Sequence, residues 1–259
     1  MMERVSFANS RNLRLIGNYY SSESNSIIIM CHGFRNDKSS NGRFDRFART
    51  LNDQGYSVLA FDFSGCGESD DDSLSLYKFV DDLKAVIHFV KSMNYCKIAL
   101  FGHSLGSRVC LEAFNKQHIS TIVMTGAGTG PVAYNWYEHF SKAQMKELQE
   151  TGYFTHYKEG CIRNKMVIER QMLLDFEQFE QQPLLSRITV PVLLIHGDDD
   201  DEEKMLSEIS KSGLRWLPKG SQLRVIEGAS HSFMGHLDIV EQLAVNWFAK
   251  HFPINNYET

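Results

Sequence analysis

Lys97-Ile98-Ala99-Leu100-Phe101-Gly102-His103-Ser104-Leu105-Gly106 runs from an apolar, strand-like pattern into Gly-x-Ser-x-Gly, and a helix-like stretch follows. This is the pattern of a nucleophile elbow, a sharp strand-to-helix turn that holds a serine hydroxyl out at the top of a sheet. Its glycines let neighbouring backbone approach where a Cβ would obstruct. The five-residue pattern alone would arise by chance in roughly one chain of this length in ten. Its meaning therefore depends on what surrounds it.

Outward from Ser104, apolar runs alternate with helical patterns. Ser26–Met30 leads into the turn Cys31-His32-Gly33-Phe34. Arg43–Gln54 follows as a predicted helix with Phe44, Phe47 and Leu51 on one face and Gly55 ending it. Ser57–Phe63 is the next strand. Asp72–Met93 reads as a helix because Leu76, Val80, Leu83, Ile87 and Val90 are spaced four, three, four, three. Beyond the elbow and its helix, which carries Val109 and Phe114, the predicted strands are Thr121–Thr125, Val190–Ile195 and Gln222–Ile226. Leu237, Val240, Ala244 and Trp247 mark a closing helix. Alternation of this kind implies an α/β fold with a mostly parallel sheet covered on both faces. The Val5–Tyr20 segment suits an antiparallel edge hairpin.

Residues 130–187 break this rhythm. They show no clear strand–helix unit and are aromatic: Tyr134, Trp136, Tyr137, Phe140, Tyr153, Phe154, Tyr157. A structureless loop of that length is improbable in a compact domain. The expected organisation is a core of residues 1–129 and 188–259, with 130–187 inserted as a cap over the carboxyl ends of the strands.

Composition narrows the function classes. The chain has 259 residues, 42% hydrophobic and 23% charged, enough for a full core. A net charge of −5 and the lack of a basic stretch give no footprint for nucleic acid or an anionic membrane. Five widely spread cysteines without a Cys-x-x-Cys pair read as free thiols. With no apolar leader-like region near Met1 and no run of 18 apolar residues, the expectation is a cytoplasmic protein. No Cys/His spacing suggests zinc, and Asp198–Glu203 lacks the spacing of a calcium loop and reads as a solvated acidic run. Gly126-Ala127-Gly128-Thr129-Gly130 misplaces the third glycine of a dinucleotide fingerprint. No cofactor is expected.

A serine hydroxyl needs an adjacent base, and the base an orienting acid. After an elbow these follow in chain order, acid and then histidine, each on a loop beyond a late strand. Val192–Ile195 runs into His196-Gly197-Asp198-Asp199-Asp200-Asp201, and Leu223–Ile226 runs into Glu227-Gly228-Ala229-Ser230-His231. Among ten histidines, His231 follows a small-residue turn after the last strand; His236 sits where the final helix opens. His32, His103 and His196 adjoin glycines in turns and read as structural hydrogen bonders. Four aspartates in line leave the acid open on spacing alone. The oxyanion of an acyl-transfer intermediate needs amide donors. The Leu105 N–H follows the serine, and the Phe34 N–H lies in the loop after the first parallel strand.

Taken together, His32-Gly33-Phe34, Asp62-Phe63-Ser64-Gly65-Cys66-Gly67-Glu68-Ser69, Gly102–Gly106, His196–Asp200 and Gly228–His231 resemble the α/β-hydrolase superfamily. More narrowly they are similar to the bacterial serine-esterase branch that includes cinnamoyl and feruloyl esterases. The resemblance covers nearly the whole chain and is weakest in the cap. It implies an acid four positions after the histidine of the His-Gly turn, Asp200 here, with Asp199 and Asp198 as alternatives. It also implies that Asp62 braces loops. Beyond Asp200 the chain departs from the pattern, with Asp201-Glu202-Glu203-Lys204 where relatives carry a Val-Pro-like segment. The implied activity is hydrolysis of small-molecule carboxylic esters through an acyl-enzyme, with Ser104, His231 and Asp200 as triad. Thioester or small-peptide hydrolysis on the same triad is the alternative, and a non-catalytic small-molecule-binding protein is the rival of another class.

Overall fold

The computed structural model describes residues 2–254, so the outermost positions of the expected core, 1 and 255–259, lie outside it. The chain opens with β1 (Met2–Ala8) and β2 (Arg14–Tyr20), paired antiparallel as the edge hairpin expected there. Then come β3 (Ser26–Cys31), α1 (Arg43–Asp53), β4 (Ser57–Phe61), the short β5 (Ser73–Leu74) and α2 (Leu76–Ser92). β6 (Lys97–His103), α3 (Leu105–Glu112) and β7 (Ile119–Thr125) form the centre. The stretch that follows contains α4 (Trp136–His139), α5 (Lys142–Thr151), β8 (Tyr153–Tyr157), β9 (Lys165–Glu169), α6 (Arg170–Leu174) and α7 (Gln181–Ser186). β10 (Val192–Gly197), α8 (Asp201–Gly213), a 3-10 turn at Leu214–Trp216, β11 (Gln222–Ile226) and α9 (Leu237–His251) complete it.

The eight-stranded sheet has the order β1-β2-β4-β3-β6-β7-β10-β11, parallel from β4 onward. Its central strands β3, β4, β6, β7 and β10 are mostly apolar because both faces are covered, whereas the edge strands β1 and β11 are largely exposed. Ile27, Ile29 and Cys31 of β3 pack with Leu83, Val86 and Val109 from α2 and α3. Ile28 and Met30, pointing the other way, pack with Phe44 and Phe47 of α1 and Val240 and Trp247 of α9. Among the described residues no helix is long and apolar enough to cross a membrane.

Two elements differ from the sequence expectation. The helix expected from Asp72 starts at Leu76, because Ser73 and Leu74 pair with Val167 and Ile168 of β9. The 130–187 segment contains an antiparallel hairpin, β8–β9, which with β5 forms a second, three-stranded sheet. Its aromatics divide: Phe140 and Phe154 are buried in continuity with the main core, whereas Tyr137, Tyr153 and Tyr157 are exposed.

Candidate active site

Ser104 stands directly after β6, with φ 53° and ψ −123°, a left-handed backbone that a residue with a Cβ adopts only when its surroundings impose it. Its amide donates to the Thr125 carbonyl at 2.9 Å. A Cβ on Gly106 would lie 2.1 Å from the Cys31 carbonyl oxygen, and one on Gly102 2.7 Å from Ser107 backbone. The two glycines thus let α3 press onto the ends of β3 and β6 and turn the serine outward.

His231 meets Ser104 from the loop after β11. Ser104 Oγ lies 3.0 Å from His231 Nε2, and His231 Nδ1 lies 2.5 Å from Glu203 Oε1. Asp200, expected to hold the imidazole, does something else. Its Oδ1 caps α8 by accepting from the Glu203 amide at 2.8 Å, and its Oδ2 accepts from the His231 amide at 2.7 Å. The alternatives are also away from the ring: Asp198 accepts from the Gly228 amide at 2.7 Å, and Asp199 is exposed. The expectation at Asp200 is therefore corrected to Glu203. The physical reason is that a helix starts at Asp200, and the longer side chain at its third residue reaches back to the imidazole while Asp200 is consumed as the cap.

Glu203 is fully buried and saturated. Its second oxygen accepts from the Gly197 amide at 2.8 Å and from His196 Nδ1 at 3.2 Å. His196 Nε2 in turn lies 2.9 Å from Ser210 Oγ, which meets Thr129 Oγ1 at 2.9 Å. Burial alone would raise the carboxyl, but hydrogen bonds from His196 and His231 hold it down at about 2. Burial would lower the His231 imidazole, yet the Glu203 hydrogen bond and the charges of Glu202, Glu203 and Asp200 raise it above the ordinary value. Gly126 makes the meeting sterically feasible: at φ 55°, its Cβ would fall 2.8 Å from the imidazole and 2.9 Å from Glu203 Oε1. The signal for Glu203 lay in Asp200-x-x-Glu203, a capping spacing, together with a stripe of Glu203, Leu206, Ser210 and Gly213 that α8 buries.

The other glycine-flanked histidines are structural. His32 Nδ1 donates to the Gly33 carbonyl at 2.8 Å and Nε2 accepts from the Phe63 amide; burial lowers its pKa. His103 bonds Thr125 Oγ1 at 3.0 Å and is driven well below its ordinary value, first by burial and then by Arg43 and His231. His236 is the N-cap residue of α9. Asp62 receives the Lys38 amide and ammonium, both at 2.6 Å, and the Glu68 amide at 2.9 Å.

Gly33 brings the Phe34 loop alongside the serine, its Cβ position lying 3.2 Å from Ser104 Cβ. The Phe34 and Leu105 amides have no protein acceptor among the described residues. Two cavities flank Ser104. A narrow, mostly apolar inner pocket is lined by Leu105, Val132, Phe176 and Phe179, with Arg108 and Asp175 also in its wall. A wider outer cleft is lined by Phe34, Arg35, Arg43, Trp136, Glu202 and His231. Tyr134 and Phe176, in edge-on contact with ring centres 5.5 Å apart, border both.

A doubly covered, mostly parallel sheet with a serine on a strained turn after a central strand defines an α/β hydrolase. The chain belongs to the hydrolase family described as serine aminopeptidase, S33, whose match covers residues 22–171 and so ends before Glu203 and His231. It is 25% identical, over 86% of its length and 87% of the relative's, to the 2-hydroxy-6-oxononadienedioate/2-hydroxy-6-oxononatrienedioate hydrolase of Klebsiella pneumoniae. With Protein ABHD12B of Homo sapiens it shares 24% identity over 82% of this chain, which spans only 57% of the human protein. Among solved structures, Est1E from Butyrivibrio proteoclasticus with ferulic acid bound superposes with a TM-score of 0.75. That match has 19% identity and covers 95% of this chain and 98% of the other.

Proposed function

We propose that the protein hydrolyses carboxylic esters through an acyl-enzyme, with a triad of Ser104, His231 and Glu203. The observation that carries this reading is the continuous relay from Ser104 Oγ through the imidazole to a buried, ionised Glu203. Ser104 Oγ attacks the carbonyl carbon and gives its proton to His231 Nε2. Glu203 fixes the Nδ1–H tautomer and stabilises the imidazolium. The Phe34 and Leu105 amides receive the oxyanion. His231 passes the proton to the departing alkoxide, then takes one from the water that attacks the acyl-enzyme and returns it to Ser104 Oγ as the acid is released. Asp200 acts as a positioning residue, tying the start of α8 to the His231 backbone. The 130–187 segment serves as the cap, supplying Tyr134, Trp136 and Phe176 to the walls.

The family description favours one other reading, cleavage of an amide next to a free amine. An aminopeptidase must hold a cation, and the outer cleft sets the guanidinium groups of Arg35 and Arg43 against one carboxylate among the described residues of its lining, Glu202, already bonded to the Tyr134 hydroxyl, which disfavours that. The test is hydrolysis of p-nitrophenyl esters from acetate to octanoate and of methyl ferulate, beside aminoacyl p-nitroanilides, with Ser104→Ala as control. Serine-dependent turnover of esters is expected. Turnover confined to anilides would overturn the ester reading in favour of the peptidase, and activity surviving Ser104→Ala would remove the mechanism.

A further inference from the structure

The outer cleft holds two guanidinium groups without a carboxylate partner. Arg43 is buried and spends its N–H groups on the Ser40 carbonyl at 3.2 Å, the Ser40 hydroxyl at 2.8 Å and the Ser232 carbonyl, so its charge is hydrogen-bonded but not neutralised. Arg35 has neither a hydrogen-bond acceptor nor an acid for its guanidinium among the described residues. Its guanidinium carbon lies 5.3 Å from the centre of the Phe34 ring and 5.0 Å from that of Phe140. Contacts with ring faces fix a guanidinium while leaving its in-plane donors free. Its backbone is left-handed, φ 55°, and Lys158 Nζ donates to its carbonyl at 3.2 Å, adding a third cation nearby. The acid in this lining, Glu202, accepts from the Tyr134 hydroxyl at 2.9 Å on α8. Burial pulls the Arg35 guanidinium below its ordinary value, the sign of a cation short of compensation.

The two cavities differ in which catalytic group they share. His231, which would protonate the leaving group, lines the outer cleft; the inner pocket is lined by Ser104 and Leu105 but not by the imidazole. The leaving alcohol therefore belongs in the outer cleft and the acyl chain in the inner pocket. The geometry points to a substrate whose leaving alcohol carries a carboxylate bound by Arg35, that is, an apolar acyl ester of a hydroxy acid. This deepens the ester reading and rests on it for the side assigned to each half. The reaction yields the free acyl acid and the hydroxy acid, with no other co-reactant than water.

3-Hydroxybenzoate and its neutral counterpart 3-hydroxybenzamide report on the site directly, by calorimetric titration into the wild type, Arg35→Gln and Arg35→Lys. The wild type is expected to bind the benzoate about tenfold more tightly than the benzamide, as a charge-assisted hydrogen bond supplies. The ratio should fall to near one in Arg35→Gln and largely return in Arg35→Lys. Equal affinities in the wild type, no measurable benzoate binding at millimolar concentration, or a ratio unchanged in Arg35→Gln would each overturn the anion site. Binding requires no turnover, so the two readings fail separately. Serine-dependent hydrolysis of p-nitrophenyl butyrate with no benzoate preference keeps the esterase and removes the anion site. Benzoate preference without ester hydrolysis keeps the site and removes the esterase.

Discussion

The turn at Ser104 and the turn at Asp200 are both strand-to-helix junctions that present a side chain to the same imidazole, and they are held in different ways. The first is held by shape: a left-handed serine, and glycines whose missing Cβ atoms give α3 room against β3. The second is held by polar saturation: Asp200 bonds two amides, and Glu203 receives two imidazoles and one amide. A junction of the first kind tolerates changes of charge nearby and fails on added volume. One of the second kind fails on loss of charge, with added volume barred there at Gly126 and Gly197 as well.

Breaking the polar junction should have the largest effect. Glu203→Gln is expected to lower kcat on p-nitrophenyl butyrate by about 10³-fold or more, since an amide neither enforces the tautomer nor balances the imidazolium. If Asp200→Asn proved the more damaging of the two in steady-state kinetics, the acid would have to be reassigned. Added volume at the other junction comes next. Gly106→Ala should cost about 3 kcal/mol in urea unfolding, because its Cβ meets backbone that cannot move aside. A cost within experimental error would mean that the shape argument is wrong. Asp200→Ala should be milder, losing about 1 kcal/mol in the same unfolding experiment as the cap is removed. The smallest effect is on pH dependence. In the proposed mechanism activity requires neutral His231, whose pKa is raised in the folded state, so the acid limb of kcat/KM should be shifted upward from the ordinary histidine value. Removing the Glu203 charge removes the hydrogen bond that raises it most, and the limb in Glu203→Gln should move to lower pH; a limb that stays or rises contradicts the ion pair.

The same contrast explains what could be read from the chain. The Ser104 turn is local, written in five residues and an apolar run, and the Leu105 amide follows from it. Chain order located His231, which the structure brings to Ser104. Glu203 was missed because counting four positions from His196 assumes a loop, whereas α8 begins at Asp200 and changes which carboxylate reaches back. The acidic run looked like solvated surface, since burial of Glu203 depends on Gly126 and His196 from distant strands. The small second sheet was illegible for a similar reason: β9 pairs with Ser73–Leu74 across more than 90 residues, and two residues are too few to show a strand period of their own. The parallel sheet itself was plain, because a strand buried on both faces has no alternative composition.

Lys38 bears on how this protein could be redesigned. Its ammonium bridges Asp62 and Glu68, at 2.6 and 2.5 Å, anchoring the loop that carries the Phe34 amide to the turn after β4 and not to any residue lining the cavities. Scaffold and specificity are thereby held by separate residues. A mutant library varying Arg35, Tyr134 and His139, with Asn36, Lys38, Asp62 and Glu68 kept fixed, would sample new substrate ranges on an unchanged amide frame.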